Sequence, residues 1–356
     1  MGTWGTVTFA AAVAVAAVGF ASAAELPGDP AASCDTRIRQ LVEELGYPPE
    51  VGDRCVTFAD GFPTARWRES LAAAEDRVRQ GVGIPAAVEA ENRVIDELRR
   101  RLDAVIRQDA GDSSYWNLGD VLAAKRAQCL GNCQLWHVLG SAVGLRVAAI
   151  EVSRPADGAL AEHETHVATL VRLADGRVRM IDTRYGIASG PFRFAEAYRQ
   201  QGTTWARASL GGDRRLPRRV RPLDRGGLEA AILLNIGNTY RRAGQEQQAA
   251  AIYDRAVRAD PDSAVLQLAV AETRLREGRW DDAERSIQLA LEIDPEAGDA
   301  HAALGRLLMR ENRWGEAVEA FDRAIALKPD SPAARRSRSE ARERMAPPAG
   351  GPGAAP

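Results

Sequence analysis

The sequence predicts two domains of different class: an α+β domain to about residue 210, then an all-α repeat superhelix over 228–346. Three observations predict this. Pro261, Pro295 and Pro329 recur with a period of 34 residues. After Leu145 the runs "LRVAAIEV", "THVATLVRL" and "RVRMIDTRY" are short and rich in β-formers, with "ADG" as a hairpin turn. Before them, "TARWRESLAAAEDRVRQG" and "AAVEAENRVIDELRRRLDAVIRQ" carry apolar residues at helical spacing. Helices first and an antiparallel sheet afterwards make an α+β domain, and 356 residues suffice for two cores.

Residues 1–24 read as an export signal. "VTFAAAVAVAAVGF" is apolar but short for a bilayer span, and "ASA" before Ala24 fits a small-residue cleavage site. No Lys or Arg precedes Arg37, so the charged leader is the amino terminus alone, and an uncleaved membrane anchor is the alternative. The expected location is periplasmic or secreted. Export permits disulfides, and Cys34 and Cys55 flank the helix and turn of "LVEELGYPPEVGDR". A bridge between them would contribute about 3 kcal/mol by closing a short loop; two separate thiols are the alternative. The 47 basic and 49 acidic residues nearly cancel, which argues against bulk binding to nucleic acid or anionic membranes.

The chemistry concentrates in "KRAQCLGNCQLWHVLGSAVGL", residues 125–145. Cys129, Cys133, Trp136, Gly140 and Val143 share one helix face. A thiol at a helix start has its thiolate favoured by the dipole. His166, on a later strand, can take or share the thiol proton, and Asp182, on the next strand, can fix the imidazole tautomer. Other arrangements stay open. Cys129, Cys133 and His137, with His163 and His166 near in sequence, could be metal ligands, although structural zinc sites draw on short loops rather than one helix. A Cys129–Cys133 disulfide is geometrically marginal on a helix and would mask the nucleophile. A core cysteine pair in a domain without catalysis is the plain alternative. No metal or other cofactor is expected.

"KRAQCLGNCQLWHVLGSAVGLRV…THVATLVRLADGRVRMIDTRYG" resembles the core of the transglutaminase-like (papain-like) superfamily, in its bacterial branch fused to repeats. The likeness covers roughly residues 90–190, with "ENRVIDELRRRL…YWNLGDVLAAKR" as the helical lead-in. In that family the nucleophile sits 15 residues before the Gly of "LG", which from Gly144 lands on Cys129. Cys133 then packs as a small hydrophobe. Ala127 and Ala168 depart from the family pattern, and neither is a proposed catalytic group. The resemblance implies thiol acyl chemistry on protein or peptide amides. The N–H of Cys129, with Gln128 or a side chain of "SSYWN", would hold the oxyanion. A domain that has lost catalysis and serves as an interaction platform is the alternative.

"GGDRRLPRRVRPLDRGG", residues 211–227, reads as a polar linker; its arginines lack the interleaved aromatics that would stack bases. Beyond it, Gly237, Tyr240, Ala249, Tyr253, Ala256 and Pro261 set a pattern repeated at Ala271, Ala283, Ala290 and Pro295, then at Gly305, Ala317, Ala324 and Pro329. This resembles the tetratricopeptide repeat. The resemblance implies three stacked helix pairs binding a protein or peptide, with Asn235, Asn238 and Arg274 as candidate contacts. "SPAARRSRSEARERM" reads as a polar capping helix and 347–356 as a disordered tail.

Overall fold

The computed structural model describes residues 32–109, 115–154, 166–208 and 215–345. The proposed export segment, the tail and His163 lie outside them. The chain divides into two compact units between Asn235 and Ile236, inside one helix.

Among the described residues, the first unit begins with four helices: α1 (Cys34–Glu44), α2 (Pro49–Ala59), α3 (Thr64–Arg79) and α4 (Ile84–Val105). Ser33 caps α1 by accepting the Thr36 N–H at 3.2 Å. Pro49 starts α2, where a missing N–H costs nothing. Val94, Ile95, Leu98 and Leu102 form the buried stripe of α4. The polar members of the same helix tie it to the sheet. Arg179 donates to Asn92 Oδ1 (3.0 Å) and Asp96 Oδ1 (2.8 Å), and the Ala174 N–H donates to Glu91 Oε2 (2.7 Å).

Seven antiparallel strands follow: β3 (Arg146–Arg154), β4 (His166–Arg172), β5 (Val178–Asp182), β6 (Ile187–Ala188), β7 (Tyr198–Gln201), β8 (Thr204–Arg207) and β9 (Arg219–Leu223). Their spatial order is β6-β5-β4-β3-β9-β8-β7. The core on one side joins Ile150, Leu170, Met180 and Val220 to Phe194, Tyr198 and Trp205.

This corrects the linker reading of 211–227. Residues 219–223 are an interior strand, and 225 onward is helix. Charge and Pro222 disguised the strand, since a proline argues against a central position. The charge is answered within the sheet: Arg221 lies across from Glu151 and donates to its Oε2 at 2.6 and 3.0 Å, both side chains nearly buried. The α+β unit therefore extends past residue 210.

The expected Cys34–Cys55 bridge is not formed; both are free, buried thiols. Cys34 faces the Ala142 carbonyl at 3.9 Å, and burial pushes the Cys55 thiol up to about 12.

The second unit is a helical stack: α9 (Arg225–Arg242, shared with the first unit), α10 (Glu246–Ala259), α11 (Ala264–Glu277), α12 (Trp280–Ile293), α13 (Gly298–Arg310), α14 (Trp314–Leu327) and α15 (Pro332–Met345). The repeating small residues are where helices touch. A Cβ on Gly237 would lie 2.4 Å from the Tyr253 ring, and one on Gly305 would lie 2.7 Å from the Phe321 ring. The turns within each pair use left-handed residues: Gly244, Gly278 and, without a glycine, Asn312 at φ 61°.

Candidate active site

The thiol helix is prepared by what precedes it. Helix α5 (Leu118–Ala124) is capped by Asn117, whose Oδ1 accepts the Gly119 N–H at 2.9 Å, and it stops at Lys125 in the left-handed region. A two-residue strand β2 (Arg126–Ala127) then pairs in parallel with β1 (Arg107–Gln108). Cys129 opens α6 (Cys129–Leu135), which runs on through a π-helical turn (Trp136–Gly140) into α7 (Ser141–Val143). Gly144, at φ 104°, ends the helix and releases the chain into β3. Gly131 has no room for a side chain: a Cβ would meet Val121 at 2.7 Å and the Tyr115 carbonyl at 2.8 Å. The first turn of α6 is thus pressed against the backbone at 115.

The structure brings the three sequence-predicted groups together. The β4–β5 register, extended by one residue, sets Asp182 opposite Ala168, so His166 is its diagonal neighbour. His166 Nε2 and Asp182 Oδ2 are 2.8 Å apart, and both side chains are fully buried. Asp182 Oδ1 accepts the Tyr185 N–H at 3.3 Å, and the Tyr185 ring packs edge-on against His166 with centroids 5.1 Å apart. The imidazole is therefore held from two sides. Its remaining nitrogen, Nδ1, is buried, and the Cys129 thiol interacts with this histidine.

The electrostatics follow from this geometry. Burial opposes the Cys129 thiolate. The hydrogen bond and charge of His166, the Val167 N–H and the charge of Arg184 outweigh it and hold the thiol below its usual range. Burial likewise opposes the imidazolium, but the bonds to Asp182 and Cys129 raise His166 to about 9. Each group's charge thus favours the charged form of the other.

The neighbouring groups are placed differently. Burial pushes Cys133 up to about 12, and its Sγ faces the Ala168 carbonyl at 3.7 Å. Burial holds His137, in the π-helical turn, down to about 4, so it is neutral. Among the described residues no cluster of three His, Cys, Asp or Glu side chains is placed to hold a metal ion.

Gln128, the oxyanion candidate, is the N-cap of α6, and its own N–H is committed to the Tyr115 carbonyl at 2.9 Å. From "SSYWN", Trp116 is buried against α6, its carbonyl accepting from Gln134 Nε2 at 2.9 Å. Asn132, in the first turn of α6, donates to Gln108 Oε1 at 2.8 Å, which joins the β1 segment to this helix.

The repeat candidates have internal partners. Asn238 accepts the Tyr253 hydroxyl at 2.8 Å, Arg274 binds Asp254 (2.6 Å) and Glu277 (3.1 Å), and Asn235 donates back to Ala231. Asn238 and Arg274 thus brace the stack.

Tetratricopeptide-repeat profiles match residues 230–263 and 268–332, so this stretch consists of tetratricopeptide repeats. No curated protein matches the chain. Among solved structures, the first repeat domain of Spaghetti (RPAP3) bound to an HSP90 peptide is 23% identical. That match covers 33% of this chain and 92% of that one, with a TM-score of 0.31. The Sgt2 repeat domain from Aspergillus fumigatus is 21% identical over 36% of this chain and 91% of that one, TM-score 0.32. The MamA protein is 24% identical over 33% and 63%, TM-score 0.30.

Proposed function

We propose that this chain, with tetratricopeptide repeats over 230–332, is an exported cysteine-dependent amide hydrolase or acyltransferase of the transglutaminase-like type, acting on protein or peptide substrates. The observation that carries the reading is the buried His166–Asp182 pair at 2.8 Å with Cys129 bonded to the same imidazole. In this reading the Cys129 thiolate attacks an amide carbonyl, and the π electrons move to oxygen. His166, already protonated, gives its Nδ1 proton to the departing amine as the intermediate collapses to a thioester. His166 then takes a proton from water or a second amine, which attacks the thioester and frees Cys129. Asp182 holds the ring so that Nδ1 faces the sulfur throughout. The chemistry requires no metal.

The repeats recruit a protein or peptide in this proposal, since stacked helix pairs offer an extended surface and carry no reactive constellation of their own. Export by residues 1–24 belongs to the same reading; the apolar run and the "ASA" site support it.

The test is labelling with an acyl-transferring thiol probe. Cys129 should be modified at neutral pH, and His166→Ala should slow the reaction by about 100-fold or more, the range for loss of a proton-transfer partner. An inert Cys129 in the folded chain would leave the second reading: an interaction scaffold built on the repeats, with a domain that retains the catalytic arrangement but not the reaction.

A further inference from the structure

Arg146 and Arg172 stand directly opposite each other across the β3–β4 pair, and Val178 of β5 completes the row. Like charges at opposed positions repel, so the row costs stability as it stands. One of the two is answered. Arg146 pairs with Oε1 of Glu91, and Oε2 of Glu91 accepts the Ala174 N–H at 2.7 Å. Arg172 is not answered. Its Nε is buried without a partner, and among the described residues no carboxylate or other acceptor takes its guanidinium. Asp175, in the turn after β4, is committed to Arg177, accepting its N–H at 3.0 Å and its Nε at 2.6 Å. Burial, then the charge of Arg146, hold the Arg172 guanidinium below its ordinary range. Both arginines are half-buried, so each keeps some surface in contact with solvent. Such a group needs a partner that the chain itself does not supply.

We propose that Arg146 and Arg172 form a binding site for a tetrahedral oxyanion, phosphate or sulfate, at the end of the sheet. A guanidinium presents its N–H groups as a planar fork that matches two oxygens of such a group. Opposed residues have Cβ atoms about 4.5–5.5 Å apart, so two forks can share one anion through different oxygens. The anion turns repulsion between the arginines into attraction to a common centre. Charge sets the ligand class as well: two cations against the single carboxylate of Glu91 leave the row net positive. Arg172 supplies the open fork, while Arg146 keeps Glu91 and lends its remaining N–H groups. The site is separate from the thiol centre. Arg172 ends β4 where His166 begins it, roughly 20 Å away along the strand. It stands whether or not the acyl-transfer reading does.

Melting of the full-length protein near neutral pH, with ionic strength held constant by sodium chloride, tests the site. As phosphate replaces chloride up to about 20 mM, the wild-type Tm should rise saturably by about 2–4 °C. Arg172→Gln removes the open fork, and phosphate should no longer move its Tm. Arg172→Lys keeps the charge without the fork, and the phosphate concentration for half the shift should increase about 10-fold. Arg177→Gln alters only the turn and should keep the wild-type response. Phenyl phosphate separates two sources of the ligand. A shift at lower concentration than with inorganic phosphate assigns the site to a phosphoryl group on a larger molecule; a shift with inorganic phosphate and sulfate alone assigns it to the free anion. If phosphate moves the wild-type Tm no more than chloride does, there is no site. If Arg172→Gln, or Arg172→Lys where the first variant does not fold, responds as wild type does, phosphate is an adventitious ion only and the assignment is wrong.

Discussion

At the scale of single residues, the two cysteines four apart have opposite environments. Cys129 lies beside His166, whose charge holds the thiol below its usual range, whereas Cys133 faces a carbonyl and is pushed up to about 12. Iodoacetamide should therefore modify Cys129 first, at a rate that falls less on acidification than an ordinary thiol's. In His166→Ala that rate should instead climb with pH as for an ordinary thiol. Peptide mapping of the alkylated protein reads both outcomes, and modification of Cys133 first would reverse the assignment. Two histidines give stability opposite pH dependence. His137 is held down to about 4, so the unfolded chain takes up a proton first. Its contribution is present above the ordinary 6.5 and is lost as pH falls toward 4. His166 is raised to about 9, so its contribution is complete below 6.5 and fades as pH climbs through 9. Melting curves should show His137→Asn losing less stability than wild type between pH 6.5 and 4.5. His166→Gln should lose less between pH 7.5 and 9.5. The candidate triad was legible in the sequence because it consists of residue types in chain order. The β1–β2 pairing beside the thiol helix was not, because a two-residue strand leaves no periodic trace.

At the scale of elements, packing is decided where a backbone approaches closely. Gly131→Ala would drive a methyl group into the Tyr115 carbonyl, which is backbone and cannot rotate away. Urea titration should show a loss of about 1–3 kcal/mol, the usual cost of overpacking. The iodoacetamide rate at Cys129 should fall as well, because the start of α6 must shift. Gly237→Ala should cost a similar amount through Tyr253. Gly244→Ala meets nothing within 4 Å and should cost only the left-handed penalty, about 1–2 kcal/mol. A larger loss at 244 than at 237 would contradict the close-contact account. The repeat helices were legible because three copies reinforce one another. Strand β9 was not: "RVRPL" alternates, but its arginines and proline mimic a solvated linker, and the Glu151 that neutralises Arg221 lies 70 residues earlier.

At the scale of the whole molecule, the repeat stack starts with α9, because Gly237 and Asn238 on that helix receive the Tyr253 ring and hydroxyl. A fragment over 225–345 should melt cooperatively by circular dichroism. One starting at 244 leaves Tyr253 without both contacts and should melt at a lower temperature, by several degrees for each kcal/mol lost. Identical melting of the two fragments would show that α9 does not belong to the stack.

The interior position of β9 also governs the order in which this protein can be built. The strands that carry His166 and Asp182 are hairpin neighbours, so these two groups can meet soon after residue 182 has emerged from a ribosome. The sheet is still open then. Until β9 arrives, β3 has a bare edge, Glu151 has no cation, and the β7–β8 hairpin has nothing to join. A nascent chain paused between residues 183 and 218 would thus hold a formed thiol centre beside an unguarded strand edge, the state most open to mispairing with other chains.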